Sequence, residues 1–141
     1  MSKQNVELHR RAIETYNARD VEAWIALSDP QIEFHSAFSE VGGAVYRGHD
    51  GLRKLFKDID EVWGNEIRID PESFYDLGEH TLVFQVSHAR GKQSGVEVAM
   101  PVAVVARWRD GLCVYSRGYS NKGEALRDLG VAEDELEPVA P

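Results

Sequence analysis

The chain is predicted to fold as one α+β domain, with helices packed on one face of a curved, mostly antiparallel sheet. Three observations predict this. Helical apolar periodicity occupies the first half of the sequence. Apolar stretches divided by turn signals occupy the second half. A chain of 141 residues that is 43% hydrophobic and 28% charged has the length and composition of a single globular core. Helices followed by a run of strands is the order expected of α+β rather than alternating α/β architecture.

Residues 5–17 read as a first helix, with Val6, Leu8, Ala12, Ile13 and Tyr16 along its apolar stripe and His9 at the stripe's edge or in solvent. Ala18-Arg19-Asp20 breaks it, and Asp20 suits the N-cap of a short second helix carrying Val21, Trp24, Ile25 and Leu27. Asp29-Pro30 ends that helix, and residues 31–36 form a first strand. A glycine-rich loop, VGGAVYRGHDG, leads to the clearest helix of the chain. Asp50 is its expected cap, Leu52, Leu55, Phe56, Ile59, Val62 and Trp63 form its stripe, and Gly64 is its stop.

Beyond it, IRIDPESFYDL, TLVFQVSHA, VEVAMPVAVVARW and LCVYSRGYS read as strands joined at DLGEH, RGKQSG and RDG. RGKQSG lacks Walker spacing and precedes a strand, so it is a hairpin turn and not a phosphate loop. NKGEALRDLG supplies one or two closing helical turns, which places a single domain over 1–130 and an acidic tail over 131–141. In the third of these strands Val102, Val104, Ala106 and Trp108 share one face while Ala103 and Val105 share the other. A sheet apolar on both faces has both covered: one face meets the helices, and a second subunit is the expected cover for the other.

Charge and cysteine content exclude several function classes. A formal charge of -8, with 16 basic residues scattered along the chain, lacks the clustered Lys and Arg that nucleic acid or an anionic membrane requires. Cys113 has no second cysteine for a disulfide or a zinc site, which fits a reducing cytoplasm. The first residues show no signal-peptide pattern, and the apolar run at 98–106 falls short of the ~20 residues of a membrane span.

The segments YNARDVEAWIALSDPQIEFHS (16–36), YRGHDGLRKLF (46–56) and RWRDGLCVYSRGYSNKGEAL (107–126) resemble the SnoaL-like branch of the NTF2-like superfamily, over nearly the whole chain. The resemblance implies a cone of strands wrapped against about three N-terminal helices, a pocket between them, and frequent dimerisation through the outer sheet face. Members include ketosteroid isomerases, polyketide cyclases, limonene epoxide hydrolases and many proteins of no known activity, so the site must be tested residue by residue.

Against the isomerase pattern, His35 stands where the general-base aspartate falls, but Ala12 and Val104 stand near the two oxyanion donors and cannot donate. Against the epoxide hydrolase pattern, Val104 and Gly118 stand near the two aspartates. Against the cyclase pattern no pocket-facing acid is evident, and Asn121, near where relatives carry aspartate, is an amide that cannot act as a base.

His35 is the candidate for acid–base work, since an unperturbed imidazole titrates in the right range. Alternation, however, puts it with Glu33 and opposite Ile32 and Phe34, so a structural or surface role stands beside the catalytic one. His88 shares parity with Leu82, Phe84 and Val86, the more apolar set, and is expected to line the interior, as a polar orienting group or as a hydrogen-bonded structural histidine. His49 and His80 are expected to be exposed. Tyr16, Trp24, Tyr46, Phe56, Trp63, Val104 and Trp108 are the expected pocket residues, with plain core packing the alternative for the aromatics. Two histidines without a carboxylate partner make no metal site.

The expectation is thus a cytoplasmic pocket protein for a small, mostly apolar or carbonyl-containing molecule, without cofactor. Either His35 performs isomerase-, cyclase- or hydrolase-type proton transfer, or the chain is a non-catalytic binding or dimeric interaction module. A third expectation is a structural dimer whose cone is filled by its own side chains.

Overall fold

A computed structural model describes residues 2–37, 45–63, 67–91 and 93–139. The glycines at 42 and 43, the helix stop at Gly64 and Lys92 of the RGKQSG turn lie outside the described residues. Helix α1 spans Ser2–Asn17 and α2 spans Val21–Ala26. Strands β1 (Ser28–His35) and β2 (Val45–Arg47) precede helix α3 (Gly48–Trp63). The long strands β3 (Ile67–Leu77), β4 (His80–Arg90), β5 (Glu97–Arg109) and β6 (Leu112–Tyr119) follow, then helix α4 (Lys122–Leu129) and a 3-10 turn at Glu133–Glu135. Together these form one mixed α+β fold with a single six-stranded sheet.

The sheet order is β2-β1-β6-β5-β4-β3, antiparallel throughout except where β1 runs parallel to β6. Register breaks lie between Pro71 and Ser73, between Arg107 and Trp108, and between Ser28 and Glu33. Such irregularities bend a sheet and sharpen its twist, and here they give it a concave face that the first three helices cover.

Local chemistry sets the helix boundaries. Asp20 caps α2 as expected, accepting from the Ala23 N–H at 3.1 Å. Helix α3 begins two residues before Asp50, at Gly48 with φ +70°, where a Cβ would lie 3.0 Å from the Pro30 carbonyl oxygen. The end of α1 is tied to the edge strand β3 through Asn17. Its amide donates to the Ile69 carbonyl at 2.9 Å and accepts from the Ile69 N–H at 2.8 Å. Arg19, at φ +59°, donates to the carbonyls of Tyr16 and Ile67.

The two sheet faces are covered by different parts of the chain. Inside, α1 packs Val6 and Ile13 on Val83 and Phe74, and α2 and α3 pack Trp24, Leu52, Leu55 and Phe56 around Ile32 and Trp108. Outside, Ala125 and Leu126 of α4 lie on Leu82, Phe84, Ala103, Val105 and Tyr119. The second apolar parity of β4 and β5, for which a second subunit was the expected cover, therefore finds its cover within the chain over this stretch.

The segment after α4 is held against the domain. Val131 and Leu136 pack on the outer cluster, and the Val139 N–H donates to the Phe74 carbonyl at 2.7 Å. Asn121 proves to be the N-cap of α4, accepting from the Glu124 N–H at 3.2 Å.

Candidate functional site

Between α1 and the concave sheet face lies a cavity of about 110 Å³. Its helical wall is one face of α1, where the spacing of His9, Ala12, Ile13 and Tyr16 places four side chains on one side. Trp24 of α2 and Leu55 and Ile59 of α3 close one flank. The sheet supplies the inward parities: Ile32 and Phe34 of β1, Gln85 and Ser87 of β4, Val102, Val104, Ala106 and Trp108 of β5, and Ser116 and Gly118 of β6. At Gly118 an added Cβ would sit 2.9 Å from the Ala37 Cβ, so the missing side chain lets the segment after β1 close against β6 at the cavity rim.

The wall carries no Asp, Glu, Lys or Arg among the described residues. Its polar groups are imidazole, phenol, indole, hydroxyl, thiol and amide groups. His9 is buried at 6% exposure, and that burial pushes its pKa down to about 4. Its Nδ1 lies 2.7 Å from Thr81 Oγ1, which also accepts from the Trp108 indole N–H at 2.9 Å. Thr81 is fully buried, so its one hydroxyl proton needs an acceptor. Donation to His9 Nδ1 meets that need, whereas a proton on Nδ1 would leave the hydroxyl orphaned at a cost of ~1–3 kcal/mol. His9 therefore carries its proton on Nε2.

Tyr16 is pushed up to about 12 by burial, with Arg19 pulling the other way, so its phenol stays protonated. Burial likewise pushes the Cys113 thiol up to about 12, against a hydrogen bond to the Tyr115 carbonyl. It is no nucleophile at neutral pH. The amide oxygen of Gln85 is buried and has no hydrogen-bond partner.

Tyr16, Trp24, Val104 and Trp108 line this cavity. His35 contributes to its rim, but the imidazole lies on the face of β1 opposite Phe34. Its Nε2 is 2.7 Å from Glu33 Oε2, and its ring lies 5.4 Å from that of Tyr115. Glu33 also accepts from Arg47 at 2.8 Å. The hydrogen bond from His35, more than the charge of Arg47, holds its carboxyl below the usual range.

Four expected pocket residues lie elsewhere. Tyr46 is buried but donates its hydroxyl to Asp58 at 2.8 Å. Phe56 sits one layer behind the wall, packed on Trp24 and Tyr16 with ring centroids 4.9 and 5.5 Å away. Trp63 ends α3, half-buried and away from the cavity. His88 points outward, 48% exposed, with Nε2 2.9 Å from Asp70 Oδ2.

The correction at His88 has a physical reason. The more apolar parity of β4 faces α4, and the parity containing Thr81, Gln85 and Ser87 faces the cavity. Gln85 was therefore missed; His9, expected at the edge of the α1 stripe or in solvent, is buried, and His49, expected in solvent, is half-buried with Nε2 2.8 Å from the Ser28 carbonyl oxygen. The available signal was a glutamine amid TLVFQVS, where the flanking residues mark a buried strand.

Among the described residues no group of three or more His, Cys, Asp or Glu side chains is placed to hold a metal, and no helix is long and apolar enough to cross a membrane.

The chain matches the family described as SnoaL-like domain over residues 9–116. No curated protein matches it. Solved structures do. An NTF2-like protein of unknown function from Burkholderia pseudomallei has a TM-score of 0.75 at 21% identity, covering 88% of this chain and 95% of that one. A protein from Catenulispora acidiphila with a ketosteroid isomerase-like fold, in complex with trimethylamine, has a TM-score of 0.73 at 17% identity, covering 96% and 98%. TerC, co-crystallised with polyporic acid, has a TM-score of 0.74 at 19% identity, covering 89% and 97%. At these identities the likeness shows the fold.

Proposed function

We propose, from the premise that this chain belongs to the SnoaL-like domain family, that it binds a small, mostly apolar, uncharged molecule in the cavity under α1, without a cofactor. The observation that carries this reading is the wall itself: aromatic and aliphatic on nearly all sides, with a buried neutral His9 and no Asp, Glu, Lys or Arg. A charged ligand would lose its hydration there and gain no counter-charge. The similar folds found with trimethylamine and with polyporic acid support a small organic ligand.

The test is an NMR titration with toluene, read at the indole N–H signals of Trp24 and Trp108. Saturable shifts are expected in the wild type and their loss in Val104→Phe, whose ring fills the space. Absence of saturable shifts, or their persistence in the variant, overturns the reading.

A second reading is favoured by the pairing of Glu33 with His35 at the rim. A carboxylate holding an imidazole is an arrangement that orients a base or acid. His35 would then transfer a proton on a carbonyl compound, in isomerase-, cyclase- or hydrolase-type chemistry. Turnover unchanged in His35→Ala overturns that role. A homodimer through the outer face is a separate proposal. It is confined to the stretch beyond α4's cover, where Val86 is half-buried and Ala99 and Pro101 are exposed. A monomeric mass in sedimentation at micromolar concentration overturns it.

A further inference from the structure

We infer that the cavity's ligand carries a neutral hydrogen-bond donor, an O–H or N–H on a ring-sized apolar body, and that this donor docks on the amide oxygen of Gln85. The inference rests on the small-molecule reading above.

Gln85 lies in the middle of β4, between Pro71 of β3 and Val102 of β5, and turns inward at 5% exposure. Among the described residues its Oε1 is the one buried side-chain nitrogen or oxygen without a hydrogen-bond partner. Its side chain forms part of the cavity wall. Buried polar groups are almost always paired, and an unmade bond of this kind costs ~1–3 kcal/mol. The nearby groups do not relieve it: Val83 and Val102, on its face of the sheet, have no side-chain donor, and the donors of the wall, Ser87, His9 and Tyr16, make no hydrogen bond to it.

The identity of the group sets the chemistry of its partner. An amide oxygen accepts from an O–H or N–H, and with no carboxylate in the wall to offset a buried cation the donor that suits it is a neutral one. The rest of the wall agrees, carrying no Asp, Glu, Lys or Arg and being faced with Tyr16, Trp24 and Trp108. The cavity, about 110 Å³, is on the scale of the ~150 Å³ that holds a benzene ring. Phenols, ring alcohols and small secondary amides share this combination of an apolar body and one uncharged donor.

Phenol, anisole and toluene separate the possibilities, because anisole keeps the ring and oxygen of phenol but has no O–H. Affinities are measured by calorimetry for the wild type and for Gln85→Met, which replaces the amide by an apolar side chain of similar length. In the wild type phenol is expected to bind about tenfold more tightly than anisole, the worth of one buried hydrogen bond. In Gln85→Met that preference is expected to vanish while toluene binding is kept. Anisole binding as tightly as phenol to the wild type overturns the inference, whether the amide presents its NH2 to the cavity or a water satisfies the oxygen. So does a phenol preference that survives in Gln85→Met. If toluene and anisole bind without a preference for phenol, the donor inference falls and the pocket reading stands. If none of the three binds, both fall. The wild-type comparison decides even if the variant fails to fold.

Discussion

The inner and outer faces of this sheet are made by the same strands and do opposite work. The outer parity of β4 and β5 meets α4 as a closed hydrophobic contact, with Leu82 at 0% and Val105 at 4% exposure. The inner parity is equally buried yet includes Thr81, Gln85 and Ser87, and it borders open space. Full burial with apolar partners marks the face that stabilises. Full burial with polar groups, one of them unpaired, marks the face that is arranged around something else.

The largest test of this contrast is Leu82→Ala. It removes a packed side chain on the outer face and should cost ~2–5 kcal/mol in denaturant unfolding, with toluene affinity unchanged. An equal loss of affinity would mean that the faces are not independent.

Next in size is the pH dependence of the inner face. His9 titrates at about 4 in the fold and near its ordinary 6.5 in the unfolded chain, so the unfolded chain binds the proton first. Its contribution is fully present above pH 6.5 and is lost as pH falls toward 4, by up to about 3 kcal/mol. The difference between wild type and His9→Gln, measured as urea midpoints from pH 7.5 to 4.5, should show this slope in the wild type alone. Parallel curves would contradict the buried neutral imidazole.

The smallest expected effect lies at the edge of the outer cover. Asn121→Ala removes the N-cap of α4 and should cost ~1 kcal/mol in thermal or urea unfolding. No loss would mean that packing of Ala125 and Leu126 alone holds the helix.

Much of the fold was legible because local rules act locally. Asp20 could be read as a cap from its position before VEAWIA, and the α1 stripe from its 3.6-residue period. Val102, Val104, Ala106 and Trp108 could be grouped on one face by alternation, and Val104 and Trp108 do border the cavity. His35 was placed with Glu33, opposite Phe34, by the same rule, and the structure pairs those two side chains. His88 was misjudged because apolar content was taken as the mark of the interior, when β4 is buried on both sides. Tyr46 and Phe56 are buried aromatics as expected, but burial does not distinguish a wall from the layer behind it.

The amino-acid sequence by itself determined the order of the helices and of the long strands, while the short strand β2 lay within what reads as a loop. These depend on residue type and on periods of two and 3.6, which are intrinsic to the chain. Only the tertiary structure decided which parity of β4 looks inward, that His9 is buried on Thr81, and that the Gln85 oxygen ends without a partner. Alternation is symmetric between two buried faces, so the choice belongs to what packs against each: α4 on one side, α1 and a cavity on the other.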